Sequence, residues 1–207
     1  MTLPRTIRYA APLMLAVLWL AQPAAAQDRN ALEIGAALPT ADRSMQNVTG
    51  SPTSFGQAMG DRGLAVLFWS NTCPWVAKYE DRVLALAEEY QAAGIGFVVV
   101  NSNDPNAYPE EGTAAIQQHA SAKGYPFAYV VDEGSDAAEA FGASRTPQVF
   151  LFNTDRRLVY EGTVDDSPSD ASQVEEEYFR DAMNQLIAGT AITVQKTKAF
   201  GCTIKFY

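Results

Sequence analysis

Two thiols, Cys73 and Cys202, are the only cysteines of the chain, and their surroundings differ. Cys73 stands in Phe68-Trp69-Ser70-Asn71-Thr72-Cys73-Pro74-Trp75-Val76, where an apolar run hands over to a helical pattern. A thiol at a helix N-terminus faces unsatisfied backbone N–H groups and the positive end of the helix dipole, which favour thiolate over thiol and create a nucleophile. Cys202 lies close to the C-terminus, 129 positions further on. If the two sulfurs meet, they form either a redox couple or a plain structural bridge. A bridge closing so long a loop adds about 4 to 5 kcal/mol in the chain-entropy model.

Other side chains able to do chemistry have ordinary explanations. His119, the single histidine, falls in a helical stretch and reads as a surface residue. One histidine and two distant thiols build no metal centre, so no metal and no cofactor is expected. The segment from Asn101 to Asn106 carries oxygen ligands but lacks the spaced acids and glycine of a calcium loop. Glu175 to Glu177 reads as a solvated start to the last helix, where acids suit the dipole. Trp69 and Trp75 flank the thiol; Trp69 reads as core, while Trp75 could shape a substrate groove.

The elements that position Cys73 follow from periodicity. Residues 27–60 are turn-rich, with short strands near 44–48 and at Thr53 and a short helix capped by Ser54. Leu64-Ala65-Val66-Leu67-Phe68-Trp69 is an unbroken apolar run, the mark of a strand covered on both faces and central in its sheet. From 74 to 93, Val76, Tyr79, Val83, Leu86, Ala87 and Tyr90 recur at helical spacing; Pro74 suits the first turn and Gly94 ends the helix. A second buried strand over 95–100 precedes a polar loop over 101–109, a helix over 110–123 and a strand over 127–131. Further on come a short helix over 136–141, a hairpin of strands 148–152 and 158–161, a polar loop over 165–172 and a helix over 174–188. The last 18 residues, from Thr190, show no helical pattern. This order predicts an α/β fold, with a mixed and mainly parallel central sheet, helices on both faces and a C-terminal antiparallel hairpin.

The first 26 residues read as a signal peptide, with Arg5 and Arg8 as the basic region, an apolar stretch from 10 to 20, and Ala24-Ala25-Ala26 as the cleavage site. Cleavage leaves a single domain over 27–189 and a tail over 190–207 that carries Cys202, with no stable membrane anchor. The three-alanine site points to a bacterial periplasm, a compartment in which thiols oxidise. The formal charge of −9 becomes more negative once the two leader arginines are removed. That excludes nucleic acid as an expected partner and makes an anionic membrane surface unattractive.

With this element order and a thiol at the first strand-to-helix junction, the chain resembles the thioredoxin-like redoxins of the alkyl hydroperoxide reductase and thiol-specific antioxidant type. Phe68-Trp69 resembles the strand end before a thioredoxin active site, and Thr146-Pro147 the segment whose proline is cis and lies beside the reactive sulfur. The match runs over residues 34–188 and is most similar to a peroxiredoxin-like branch. Members of that branch carry a Thr-Cys-Pro motif, here Thr72 to Pro74, an Asn-Ser-Asn-Asp loop, here Asn101 to Asp104, and a Gly-Cys-x-Ile-Lys tail, here Gly201 to Lys205. The resemblance implies a thioredoxin-like fold with Cys73, Thr72 and Pro147 at the site. Departures are equally informative. Val76 stands where a thioredoxin has its second cysteine, so the resolving thiol must come from elsewhere, and Cys202 is the internal candidate. The peroxidase pattern is met by Ser70 but not by Val66, and Pro147 stands at the place of the peroxidase arginine, with Arg145 two residues away as a possible substitute.

Three functions fit. One is a thiol-disulfide oxidoreductase in which Cys73 exchanges with protein thiols or disulfides and Cys202 resolves. Another is a thiol peroxidase, with Cys73 oxidised by a hydroperoxide, Cys202 condensing with the sulfenic acid, and a thiol reductant closing the cycle. The third is a non-catalytic thioredoxin-like domain that binds a protein through the groove by Pro147.

Overall fold

The computed structural model describes position 1 and residues 32–207. The expected signal peptide and its cleavage site therefore lie outside the described residues.

The apolar run forms β2 (Gly63–Trp69), buried along its whole length. Its successive side chains enter two cores because a strand alternates faces. Ala65, Leu67 and Trp69 join one, while Leu64, Val66 and Phe68 join the other. Around it a six-stranded sheet is ordered β1-β4-β3-β2-β6-β7, with β1 (Gln46–Asn47), β3 (Ile95–Asn101), β4 (Ala128–Val131), β6 (Gln148–Phe152) and β7 (Leu158–Gly162). Helices α1 (Pro74–Ala92), α2 (Thr113–Lys123) and α4 (Tyr178–Ala188) cover one face; α3 (Asp136–Phe141) and the segment through Leu38, Met45 and Phe55 cover the other. This is the α/β thioredoxin-like architecture expected, with its antiparallel β6–β7 hairpin.

Several boundaries differ from the sequence expectation. The sheet is less parallel than expected: β2–β3 and β3–β4 run parallel, but β1, β6 and β7 each pair antiparallel. Six-residue α3 is about 9 Å long, too short to carry the chain back along a strand of about 17 Å, so β6 enters from the end where β4 left. Ser54 starts a turn instead of a helix; its Oγ accepts from Gln57 N at 3.2 Å. The expected helix over 110–123 is broken at Gly112 into a 3-10 turn (Pro109–Glu111) and α2. The last helix begins at Tyr178, leaving Glu175 and Glu176 before it and Glu177 at its cap position.

The largest difference concerns the tail. Residues without periodicity turn out to be held at several points along the tail. Glu161 N donates to Gln195 O and Thr197 N donates to Glu161 O, so the tail first runs beside β7. It then forms β8 (Cys202–Thr203), which pairs antiparallel with β5 (Arg145–Thr146) in a separate two-stranded ribbon. Ile204, 3% exposed, plugs the core beneath α3. Lys205 is gripped through its backbone: its N–H donates to Asn103 Oδ1 at 2.9 Å and its carbonyl accepts from Asp104 N at 2.7 Å. Two close approaches require glycine. A Cβ on Gly162 would meet Thr197 Oγ1 at 2.0 Å, and one on Gly201 (φ +156) would meet Thr146 O at 2.0 Å.

If Ile204 anchors the tail, Ile204→Ala is expected to lose about 2 to 5 kcal/mol of stability. Urea denaturation of the full chain checks this; a loss under about 0.5 kcal/mol would mean the tail contributes no core.

Candidate functional site

Cys73 is the residue on which helix α1 starts. Pro74 follows it and supplies the φ that opens a helix, while its missing N–H is one that a first turn leaves unpaired anyway. The sulfur lies in a buried corner, with Cys73 2% exposed. Its S–H faces two acceptors: Thr146 O at 3.1 Å and Cys202 Sγ at 2.6 Å. Tertiary structure thus brings together residues 129 positions apart. Both are free cysteines here, Cys73 buried and Cys202 partly exposed.

The ribbon explains how they meet. Thr146 pairs with Cys202 and Arg145 with Thr203, so Thr146 and Cys202 share one face and Arg145 and Thr203 the other. The peptide bond between Thr146 and Pro147 is cis, as the resemblance implied. Backbone beside Pro147, which the resemblance offers to a partner chain, is occupied by the protein's own tail. Arg145 is exposed and its guanidinium donates to Thr203 Oγ1 at 2.7 Å. The arginine thereby clasps β8 from the face opposite the sulfurs.

Burial and the neighbouring sulfur act on Cys202. Its thiol is pushed up to about 11 from an ordinary 9.0, first by desolvation, then by the hydrogen bond and charge of Cys73. Lys205 and the Trp75 backbone pull the other way.

Sequence reasoning missed Glu111. This glutamate is 3% exposed and accepts five hydrogen bonds. Ser70 Oγ and Thr72 Oγ1 each donate at 2.5 Å, Asn71 N and Thr72 N at 3.0 Å, and Asn101 Nδ2 at 2.7 Å. Four of the five come from the three residues before Cys73, so the carboxylate acts as a last for that loop. Burying an unpaired carboxylate costs several kcal/mol; donors to a charged acceptor contribute about 1.5 to 3 kcal/mol each. The signal was faint: a Glu after Pro109 looks like any solvated helix start.

Asn101 to Asn103 are buried instead of looping through solvent. Asn101 Oδ1 accepts from Asn103 N at 2.9 Å and Asn103 Nδ2 at 3.1 Å, while Asn103 Nδ2 also reaches Trp69 O at 3.4 Å. These side chains link the Cys73 loop to the tail, because Asn103 also holds Lys205. His119 is likewise engaged: partly buried, it bonds Glu80, which also accepts from Lys123 Nζ at 2.6 Å and Tyr125 Oη at 2.6 Å. Burial pushes the Glu80 carboxyl up, but these partners outweigh it and hold it below its ordinary value. Trp69 is core, its Nε1 donating to Tyr125 Oη at 3.0 Å. Trp75 packs edge-on against Phe200, centroids 4.7 Å apart, and both line a groove of about 450 Å³ together with Tyr178, Lys198 and Asp166.

Residues 33–178 match the family model described as Redoxin. A thiol-disulfide oxidoreductase ResA of Halalkalibacterium halodurans is 26% identical over 98 residues, 47% of this chain and 52% of that protein. The match thus spans about half the length of that relative. Two solved structures are similar over most of their length. An uncharacterized conserved protein from Geobacillus kaustophilus superposes with a TM-score of 0.80 at 32% identity, covering 86% of this chain and 94% of that one. A hypothetical protein from Sinorhizobium meliloti 1021 gives 0.79 at 31% identity, covering 86% and 97%.

Glu111→Ala strands the donors of residues 70–72. It is expected to cost about 3 kcal/mol in urea denaturation; a change below about 0.5 kcal/mol would show that water replaces the carboxylate freely.

Proposed function

The chain belongs to the Redoxin family, and from that premise we propose that it is a thiol-disulfide oxidoreductase whose working couple is Cys73 and Cys202. The observation that carries this reading is the 2.6 Å between the two sulfurs. With Val76 in place of a neighbouring second cysteine, Cys202 is the thiol within reach of Cys73, and a bond between the two closes a two-electron cycle without a partner subunit. Thr72 and Glu111 hold the loop that presents Cys73, and Pro147 follows the carbonyl that takes its S–H. Arg145 holds the strand that carries Cys202 through Thr203. The similarity to a named thiol-disulfide oxidoreductase over half its length supports exchange with protein thiols or disulfides.

Burial favours exchange over the peroxidase reading. A hydroperoxide must reach the sulfur of Cys73, a residue 2% exposed under the tail, whereas a thiol can reach the couple through the partly exposed Cys202. Titration in graded thiol buffers is expected to give a single two-electron transition with a potential above about −300 mV, abolished in Cys73→Ser and in Cys202→Ser. A potential well below that value would mark an inert bridge. Oxidation of Cys73 by hydrogen peroxide faster than free cysteine would transfer the assignment to a peroxidase.

The basic, apolar and small-residue order of the first 26 residues supports export, and the oxidising periplasm is the compartment in which such a couple would work. Mass spectrometry of the chain recovered from a periplasmic fraction is expected to find an N-terminus near Gln27. An intact Met1 in the cytosolic fraction would count against it.

A further inference from the structure

The couple just proposed leaves open which sulfur meets the partner, and three observations on the two sulfurs bear on it. The first is access: Cys73 is 2% exposed beneath β8, while Cys202 is partly exposed, two residues along the chain from Phe200 of the groove. The second is an orphaned hydroxyl. Thr146 is 1% exposed, and its Oγ1 is buried with no hydrogen-bond partner. By the pairing register Thr146 stands opposite Cys202, so its side chain lies on the ribbon face that carries the sulfurs. The third is the 19-residue helix α1, whose N-terminus begins at Cys73 and not at Cys202.

We propose that an incoming thiol attacks Cys202 of the oxidised couple, and that Cys73 is the sulfur that leaves, received by the hydroxyl of Thr146. This rests on the Cys73–Cys202 couple being the working one. The partner is a dithiol, and the protein is its oxidant.

The partner's thiolate forms a bond to Cys202 Sγ as the Cys73–Cys202 bond breaks. The electron pair goes to Cys73 Sγ. Charge growing there is met by the helix N-terminus and by a hydrogen bond donated from Thr146 Oγ1, a group otherwise left unsatisfied at a cost. Cys73 then takes a proton from water, and its S–H donates to Thr146 O, the arrangement seen in the reduced pair. The partner's second thiolate attacks the partner sulfur of the mixed disulfide. Its bond to Cys202 breaks, the partner leaves as a disulfide, and the Cys202 thiolate takes up a proton. Two electrons have passed from partner to protein, and the two protons that the protein takes up from solvent balance the two that the partner's thiols gave to solvent on forming thiolates.

Leaving-group chemistry agrees. Attack on Cys73 would instead expel Cys202, where burial works against the thiolate that has to leave.

The test uses the oxidised full chain, glutathione as the thiol, a quench within seconds by excess alkylating agent, and peptide mass spectrometry. Trypsin places Cys73 in the peptide 63–78 and Cys202 in 199–205. Glutathione is expected on 199–205 in about ten-fold excess or more over 63–78. Equal labelling, or labelling mainly at Cys73, overturns the proposal while leaving the couple intact. Absence of a bridge between the two peptides before glutathione is added overturns the couple, and the proposal with it. Thr146→Val is expected to slow adduct formation about ten-fold with the adduct still on Cys202, and Thr146→Ser to restore the rate. An unchanged rate in Thr146→Val removes the hydroxyl from the mechanism.

Discussion

The carbonyl of Thr146 is approached from two sides at once, and the site exists because both approaches are possible. On one side the Cys73 S–H donates to it at 3.1 Å. From the other the tail crosses so closely that a Cβ on Gly201 would lie 2.0 Å from the same oxygen. Only a residue without a side chain lets β8 reach β5, and only that pairing sets Cys202 opposite Thr146 with its sulfur beside Cys73. The Gly-Cys order of the tail is therefore one structural device. Glycine supplies the approach and cysteine uses it.

A second constraint works at the C-terminal ends of β2 and β3. Glu111 collects the donors of Ser70, Asn71 and Thr72, Asn101 ties that carboxylate to β3, and Asn103 joins the same network to Lys205 of the tail. A network of this kind is stable only when every member is satisfied, and half-satisfied it would cost more than an apolar core. It therefore holds the Cys73 loop and the tail as one body. The Asn-Ser-Asn-Asp loop and the Gly-Cys-x-Ile-Lys tail, far apart in the chain, are two halves of one socket.

How much of this was legible depended on the range of each interaction. The strand over 64–69 and the helix after Pro74 declare themselves through apolar run length and helical spacing, signals internal to a few residues. Pro147 and Cys73 were legible through motif resemblance. Glu111 was not, because a buried carboxylate and a solvated one look alike until the donors around them are known. Asn101 and Asn103 look like a solvent loop for the same reason: polarity in sequence says nothing of whether the partner is water or protein. By its distance from Pro147, Arg145 looks like a companion of the sulfur, whereas its guanidinium holds Thr203, since a one-residue step along a strand moves a side chain to the other face.

From its residues alone, this chain specified an α/β fold around a buried strand, a thiol at the start of a helix, and the lack of a second cysteine one turn away. Those properties are local, set by periodicity, by Pro74 and by Val76. The tertiary structure alone decided that Cys202 reaches Cys73, that the tail fills the backbone edge beside Pro147, and that Glu111 supports the loop. Each of those rests on contacts between residues tens of positions apart, where geometry and not spacing determines which groups meet. Whether the two sulfurs meet is of that second kind, because a tail without periodicity carries no internal record of the two edges that hold it.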